Sequence, residues 1–432
     1  MLRFVLTSCR VLSAALWSLA AVLLVVWLIG RVFNDSFRWS QFIYWIPSIF
    51  TILMAGISCA LALSIQFFLK GYEQLKTGGP PENRPPFFKR HAQNPYVLLC
   101  FAWFFCASWS ALFEHNMLRA WGLQDSDRQR GKIANTLLFW NIGGRVRDGW
   151  MDQLRLIDAD LVVVSNQPNW SVVNEFKTLA NQATNRVDAE ADPKDKYTTF
   201  LAGIFLIHTR LKLREWGFTT LNIQPGVGFD VRKQSGRYET TDPGYSMYLI
   251  FDPEGTVKQG TGQPFVVWLM DLPSDPSISR QNIAQQAIES IDAWRGTATV
   301  LSAELDSKGE PQWINVPAEQ LGRKGFPLPD VMLGDFNIPR GSRSLKHLTG
   351  TMENAYDQAG AGYTASYPRK VPFAQLDGPG LFSAIRFFIP SDVPFFHIDQ
   401  AFIAPSLHAT RYRVINLGAG THWAQFIEVQ AR

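Results

Sequence analysis

The first 120 residues carry three long apolar runs, and the rest of the chain alternates on a shorter scale. Val11 to Gly30 has no charged residue. Phe42 to Leu69 has none either, interrupted only by small polar residues, Pro47 and Gln66. Pro95 to Phe113 is rich in Phe, Trp and Cys. A helix needs about 20 such residues to cross a hydrocarbon core, so three transmembrane spans are predicted, at about 11–30, 42–69 and 95–113. Buried core helices rarely run so long without a charge. A cleaved leader is not indicated, because two more spans follow the first.

Beyond Gly131 the period shortens. Ile133–Asn141, Asp158–Val164, Phe200–Ile207, Ser246–Phe251, Val266–Leu269, Val331–Leu333 and His397–Ile403 are strand-like apolar runs. Between them, Val146, Trp150, Met151 and Leu154 recur at helical spacing, as do Ile283, Ala287, Ile288, Ile291 and Trp294. The polar stretch from Gly122 to Gly131 separates the two regimes. The predicted organisation is a membrane region (1–121), a linker (122–131) and one α+β domain (132–432). Thr77 to Pro86, rich in Pro and Gly, connects spans two and three.

Composition narrows this picture. The 432 residues suffice for a membrane region and one large domain, and the net charge of +4 is small. A strongly basic nucleic-acid footprint is therefore absent from the chain as a whole. All four cysteines (Cys9, Cys59, Cys100, Cys106) precede the domain, which excludes a disulfide framework within it. Arg3 and Arg10 precede the first span, and Lys70, Lys76, Arg84, Lys89 and Arg90 populate the second loop. Counting Lys and Arg places the N-terminus and that loop in the cytoplasm, and the domain on the outer side. Arg119, Arg128, Arg130 and Lys132 pull the other way.

The chemistry centres on Gly334-Asp335-Phe336-Asn337. The apolar run Val331–Leu333 delivers it, and Ile338-Pro339-Arg340-Gly341 turns away after it. Asp335 and Asn337 are two apart, so an extended backbone points both the same way. A carboxylate that orients water and an amide that donates to charged oxygens suit in-line attack on phosphorus. The strand ending in Trp140-Asn141, the strand carrying Asp399, and Gly420-Thr421-His422 follow in an order that resembles the endonuclease/exonuclease/phosphatase superfamily. The resemblance covers about Ile133 to Val429. It implies a four-layer α/β/β/α sandwich behind the spans. It also implies that Asn141 binds phosphate or metal, that Asp335 and Asn337 orient water and stabilise the transition state, and that Asp399 pairs with His422.

The chain departs from the family pattern at the metal side. The family's Gln-Glu after the second strand, with Glu the main metal ligand, corresponds to Ser165-Asn166, followed by Gln167. The family's Ser-Asp-His reads Gly420-Thr421-His422, and the His expected near Val266–Leu272 is Asp271. A hard dication prefers charged oxygen. Asp271, with Asn141 and Asn166 as neutral oxygen donors, is the candidate rebuilt metal site; the alternative for Asp271 is capping the loop Leu272–Asp275. His208 ends a strand, and Arg210 beside it is either structural or close to substrate. The resemblance implies Mg²⁺ or Mn²⁺, and a phosphate-ester substrate that is a lipid headgroup, a nucleic acid or a small molecule. The expected function is a membrane-anchored phosphoesterase acting on a phosphodiester or phosphomonoester. The alternative is a degenerate pseudo-enzyme of the same fold that binds an anionic ligand or a protein partner.

Overall fold

The computed structural model describes residues 2–77, 95–122, 132–143, 154, 157–166, 197–224, 242–275, 278–305, 311–368, 394–418 and 420–432. They form two compact units, Met1–Met117 and Leu118–Arg432.

In the first unit, α1 (Leu2–Phe33), α2 (Ser48–Thr77) and α3 (Pro95–Trp109) are helical, and α3 continues through one π-helical stretch, Ser110–Glu114. All three are long and apolar enough to cross a membrane. The second span differs from the expected 42–69. The chain first forms a short helix, Arg38–Tyr44, and then restarts at Ser48. Pro47 is the reason: its ring lacks an N–H and clashes with the preceding turn, so it starts a helix and cannot sit inside one. Large apolar side chains point outward from all three helices, including Val22, Leu53 and Phe101.

The second unit is built from two mixed sheets flanked by helices. The first sheet contains β1 (Ala134–Asn141), β2 (Leu161–Ser165), β3 (Thr198–Ala202) and β4 (Phe205–Thr209). The second contains β5 (Leu213–Thr220), β6 (Tyr245–Phe251), β7 (Phe265–Asp271), β8 (Thr297–Leu305), β9 (Pro311–Pro317), β10 (Val331–Asp335), β11 (Glu353–Asn354) and β12 (Asp399–Ile403). The last two strands, β13 (Leu407–Ile415) and β14 (Ala424–Ala431), return to the first sheet. The orders are β13-β14-β1-β2-β4-β3 and β11-β12-β10-β7-β6-β5-β8-β9. The single strand expected over Phe200–Ile207 is a hairpin: Gly203, at φ +55°, turns the chain between β3 and β4.

The sheets pack face to face through one core. Leu137 and Phe139 (β1), Leu161 and Val163 (β2), Val267 and Leu269 (β7), and Val331 and Leu333 (β10) all contribute to it. Each such side chain, fully buried, is worth ~1.5–3 kcal/mol. With a side-chain period of two, the next position on this face is Asn141, Ser165, Asp271 and Asp335 respectively. The apolar core therefore ends in a polar row at one end of the sandwich. The outer face of the larger sheet is covered by α4 (Arg280–Asp292), whose Ile283, Ala284, Ala287 and Ile291 join Trp268, Met270 and Met332. Leu154, Ile157 and Ala159 cover Leu138, Trp140, Val162 and Val164 on the other sheet. Of the helix expected from Val146 to Leu154, only Leu154 falls within the described residues, and the linker 122–131 lies almost wholly outside them.

Candidate active site

Strand pairing places three carboxylates side by side. Asp335 of β10 is the register partner of Asp271 in parallel β7 and of Asp399 in antiparallel β12. Opposite them, Asn141 is the register partner of Ser165 across β1 and β2. Gly334 permits the close approach of β10 to β7, since a Cβ there would lie 2.0 Å from the Met270 carbonyl oxygen. That is why the box begins with glycine.

The two rows are joined by hydrogen bonds. The Asn141 amide Nδ2 donates to Asp335 Oδ2 at 2.8 Å, bridging the sheets. The Asn337 backbone N–H donates to Asp335 Oδ1 at 2.9 Å. The Asn337 side chain donates to the Leu272 carbonyl at 2.7 Å, so it holds the loop after Asp271. Asn166 Nδ2 donates to Asp271 Oδ2 at 2.7 Å and approaches Asn141 Oδ1 at 3.3 Å. Asn166 and Asn337 both have left-handed backbones, at φ +54° and +48°. Asn is the non-glycine residue that best tolerates this, because its short amide bonds locally.

His422 enters from the segment before β14. Gly420, at φ +73°, lets that segment lie against the end of β1, where a Cβ would sit 2.9 Å from the Ile142 carbonyl oxygen. Trp140 Nε1 donates to the His422 carbonyl at 3.1 Å. His422 Nδ1 bonds Asp399 Oδ2 at 2.8 Å and lies 3.8 Å from Asp335 Oδ2. The structure thus brings together all seven sequence-derived residues: Asn141, Asn166, Asp271, Asp335, Asn337, Asp399 and His422. Arg210 lies at the opposite end of β2, paired with Asp160 and Asp158 at 2.6 and 2.5 Å.

Burial sets the electrostatics. It raises the Asp271 carboxyl well above the usual carboxylate range, and the Asp335 and Asp242 charges add to it, against the Asn166 hydrogen bond. Asp335 is raised to about 6, by burial first and then by the Asp399 charge; His422, the Asn337 N–H and the Asn141 amide oppose this. For His422 burial favours the neutral ring, but the Asp399 charge and hydrogen bond, with Asp335 behind them, outweigh it and leave the imidazole raised. These interactions favour an imidazolium, with Nε2 as its remaining donor.

Further groups complete the site, and some of them carry no signal in the sequence. Ser165 Oγ and Asp399 Oδ1 are buried and without a hydrogen-bond partner among the described residues. The Tyr367 ring packs on His422 with centroids 4.5 Å apart. Ser366 ties the segments together: its carbonyl accepts from Trp423 N at 2.9 Å, and its Oγ from Asp399 N at 3.3 Å. Ser366 and Tyr367 sit in an irregular stretch with no periodicity to flag them. The in-register Asp row was detectable in principle, since each Asp opens or closes an apolar strand.

A cation can be tested against these donors. Two of the three aligned carboxylates, Asp399 and Asp335, lie 2.8 and 3.8 Å from the His422 imidazole, and the strongest charges acting on Asp271 and Asp335 are other carboxylates and His422. Asp271 and Asp335 are register neighbours whose carboxyls are raised by burial first and by neighbouring carboxylates second, and a divalent cation would offset that second cause. Asn166 and Asn141 do not act as oxygen ligands as they stand: Asn166 presents its nitrogen to Asp271, and Asn141 Oδ1 accepts from Gly143 N at 3.0 Å. The ligating atoms of Asp335, Asp399 and His422 also lie within 4.8 Å of one another, but His422 Nδ1 is engaged by Asp399.

No family model and no curated protein matches the chain. Solved structures do. An endonuclease/exonuclease/phosphatase family protein from Bacteroides thetaiotaomicron is 14% identical, with 69% of this chain and 98% of that one covered and a TM-score of 0.40. A mannosyl-6-phosphatase from the same organism is 15% identical, with 68% and 99% covered and a TM-score of 0.38. The inositol polyphosphate 5-phosphatase domain of SpSynaptojanin, bound to inositol (1,4)-bisphosphate and a calcium ion, is 12% identical, with 73% and 89% covered and a TM-score of 0.38. The architecture rests on strand order and register, and the domain is similar to these proteins in being two mixed sheets flanked by helices.

Proposed function

We propose that the domain is a phosphoesterase held at a membrane by the three apolar helices. It hydrolyses a phosphodiester or phosphomonoester by in-line attack of water. The observation that carries this reading is the buried relay Asp399–His422–Asp335–Asn141, drawn from two sheets and joined by bonds of 2.8 Å with one 3.8 Å approach. Like-charged carboxylates crowded into a buried row have no use as packing, because burying them costs free energy.

Asp335, raised to about 6, is a base whose proton affinity lies close to neutral pH, suited to taking a proton from water. Asn141 holds one of its oxygens, and the Asn337 N–H the other, which fixes the carboxylate plane. His422, kept protonated by Asp399, donates from Nε2 to an oxygen of the phosphoryl group as negative charge builds there. Asn337 positions Asp271 through the Leu272 carbonyl. Asp271, with Asp335 as its register neighbour, would hold an Mg²⁺ or Mn²⁺, and that ion would supply further neutralisation of phosphoryl oxygen charge. The Lys and Arg count of the loops orients the domain to the outer side of the membrane.

The test is hydrolysis of an aryl phosphodiester and an aryl phosphomonoester by the full chain in detergent, with Mg²⁺, Mn²⁺ or chelator. Metal-dependent turnover that is lost in Asp335→Ala and His422→Ala supports the reading. No turnover with any metal, from protein shown to be folded, would replace it with an anion-binding domain of the same fold.

A further inference from the structure

We propose that the segment from Phe37 to Ile46 lies in the headgroup layer of the bilayer, as an inside-out collar at one end of the membrane unit. The short helix Arg38–Tyr44 has reversed amphipathicity. Its buried residues are Ser40, Gln41 and Tyr44, with Ser40 and Gln41 fully inaccessible. Apart from Arg38, its exposed residues and those flanking it are aromatic or aliphatic: Phe37 and Trp39 are each 51% exposed, and Phe42 and Ile46 also point out. In water a seven-residue helix with this distribution would be unfavourable on both faces. An apolar surrounding outside and a polar cluster inside remove both penalties.

The inward side provides that polar cluster. Arg31 Nε pairs with Glu114 Oε1 at 2.6 Å, and Ser110 Oγ donates to the other Glu114 oxygen at 2.8 Å. Arg31 also donates to Ser48 Oγ, which accepts from Trp27 Nε1 at 2.9 Å. The Arg31 guanidinium lies 4.8 Å from the centroid of the Tyr44 ring. The end of α1, the start of α2 and the π-helical end of α3 therefore share one partly buried ionic contact. The π-helical stretch carries both Ser110 and Glu114 of this contact.

The outward side fits the interface rather than the hydrocarbon centre. Phe33, Phe37 and Trp39 form a continuous aromatic group, with the Phe37 and Trp39 rings stacked at 6.0 Å and 7°. Val32 near the end of α1 and Ile49 near the start of α2 are exposed as well. Exposed Arg38 sits between Phe37 and Trp39. Aromatic rings interleaved with a cation at span ends match the headgroup level, where the rings find apolar carbon and the cation finds phosphate and water. The occupant of this face is thus phospholipid, and the proposal depends on the spans crossing a bilayer but not on any catalytic activity.

The experiment reconstitutes the full chain, and its Trp39→Phe variant, into phosphatidylcholine vesicles brominated at shallow, middle or deep acyl positions. The difference between the two fluorescence signals isolates Trp39. The expected result is a Trp39 component quenched most by the shallow bromines and only weakly by aqueous acrylamide. Quenching greatest with deep bromines would overturn the proposal in favour of a buried span. Strong acrylamide quenching with no lipid effect would place the segment in water and overturn it. Quenching by neither would mean that protein, such as a second copy of this chain, covers the face, which also overturns it. Trp39→Phe preserves an outward ring, so misfolding does not obscure the readout.

Discussion

The two ends of β1 and β2 handle buried carboxylates in opposite ways. At the starting ends, Asp160 is satisfied: Arg210 Nε meets it at 2.6 Å, Thr136 N at 2.7 Å and Asn135 Nδ2 at 3.3 Å. At the finishing ends, Asn141 and Ser165 face Asp271, Asp335 and Asp399, which stand in adjacent register with one imidazole among them. Ser165 Oγ and Asp399 Oδ1 have no partner among the described residues. A buried charge that is matched by an opposite one holds a fold together, whereas like charges crowded together cost stability and persist where chemistry needs them. One end of the strands is built for stability and the other carries the marks of a site.

The sharpest way to break this contrast is to remove Asp335. Asp335→Ala should lower hydrolysis roughly 100- to 10,000-fold, the range for a lost general base, while leaving the melting temperature unchanged or higher. A large loss of stability instead would mean that Asp335 is structural. The reciprocal change is Asp160→Ala. It should cost about 2–4 kcal/mol, towards the low side of a broken buried pair because Arg210 retains partial exposure, with turnover per folded molecule unchanged. Denaturation and rates measured on the same samples separate the two.

Protonation sharpens the comparison further. Asp271 and Asp335 are raised in the folded state, so their contribution is fully present below the unfolded carboxylate range and lost as pH rises through the folded values, about 6 for Asp335. Asp271→Asn keeps an acceptor for Asn166 and removes a charge that is costly to form. It should raise the melting temperature at pH 8 and do so much less at pH 4. Mg²⁺ should stabilise the parent chain, by about 2.7 kcal/mol at a concentration 100 times its dissociation constant, and the variant far less. Equal stabilisation of both would remove Asp271 from the metal site.

The smallest expected effect concerns His422. Its raised imidazole contributes stability that is fully present below its unfolded value near 6.5 and is lost as pH rises through the folded value. His422→Gln should flatten the dependence of melting temperature on pH above about 6.5. An unchanged profile would show that the Asp399 pair does not titrate there.

The long apolar helices and the GDFN strand were legible because each is a local pattern: an uninterrupted apolar run, or an apolar run ending in paired polar residues. The break at Pro47 was equally local and still escaped the expected span 42–69, since hydropathy alone does not register a missing N–H. The hairpin at Gly203 escaped for a similar reason, because Phe200 to Ile207 is apolar enough throughout to pass for one strand. Ser366 and Tyr367 carry no local signal at all; they join the site through Trp423, Asp399 and His422, far away in the chain.

The sequence by itself determined which residues are chemically capable and on which strand ends they fall, because side-chain type and period-two alternation are properties of short segments. The tertiary structure alone decided that Asp271, Asp335 and Asp399 stand in one register row, that Asn141 reaches across from the other sheet to bond Asp335, and that Asn166 turns its nitrogen to Asp271. Those facts depend on pairing between strands more than 60 residues apart, and on the low-dielectric setting that closing two sheets creates. No short segment contains that information: burial between the sheets raises Asp335 towards neutrality, and the Asp399 pairing raises the His422 imidazole against that burial.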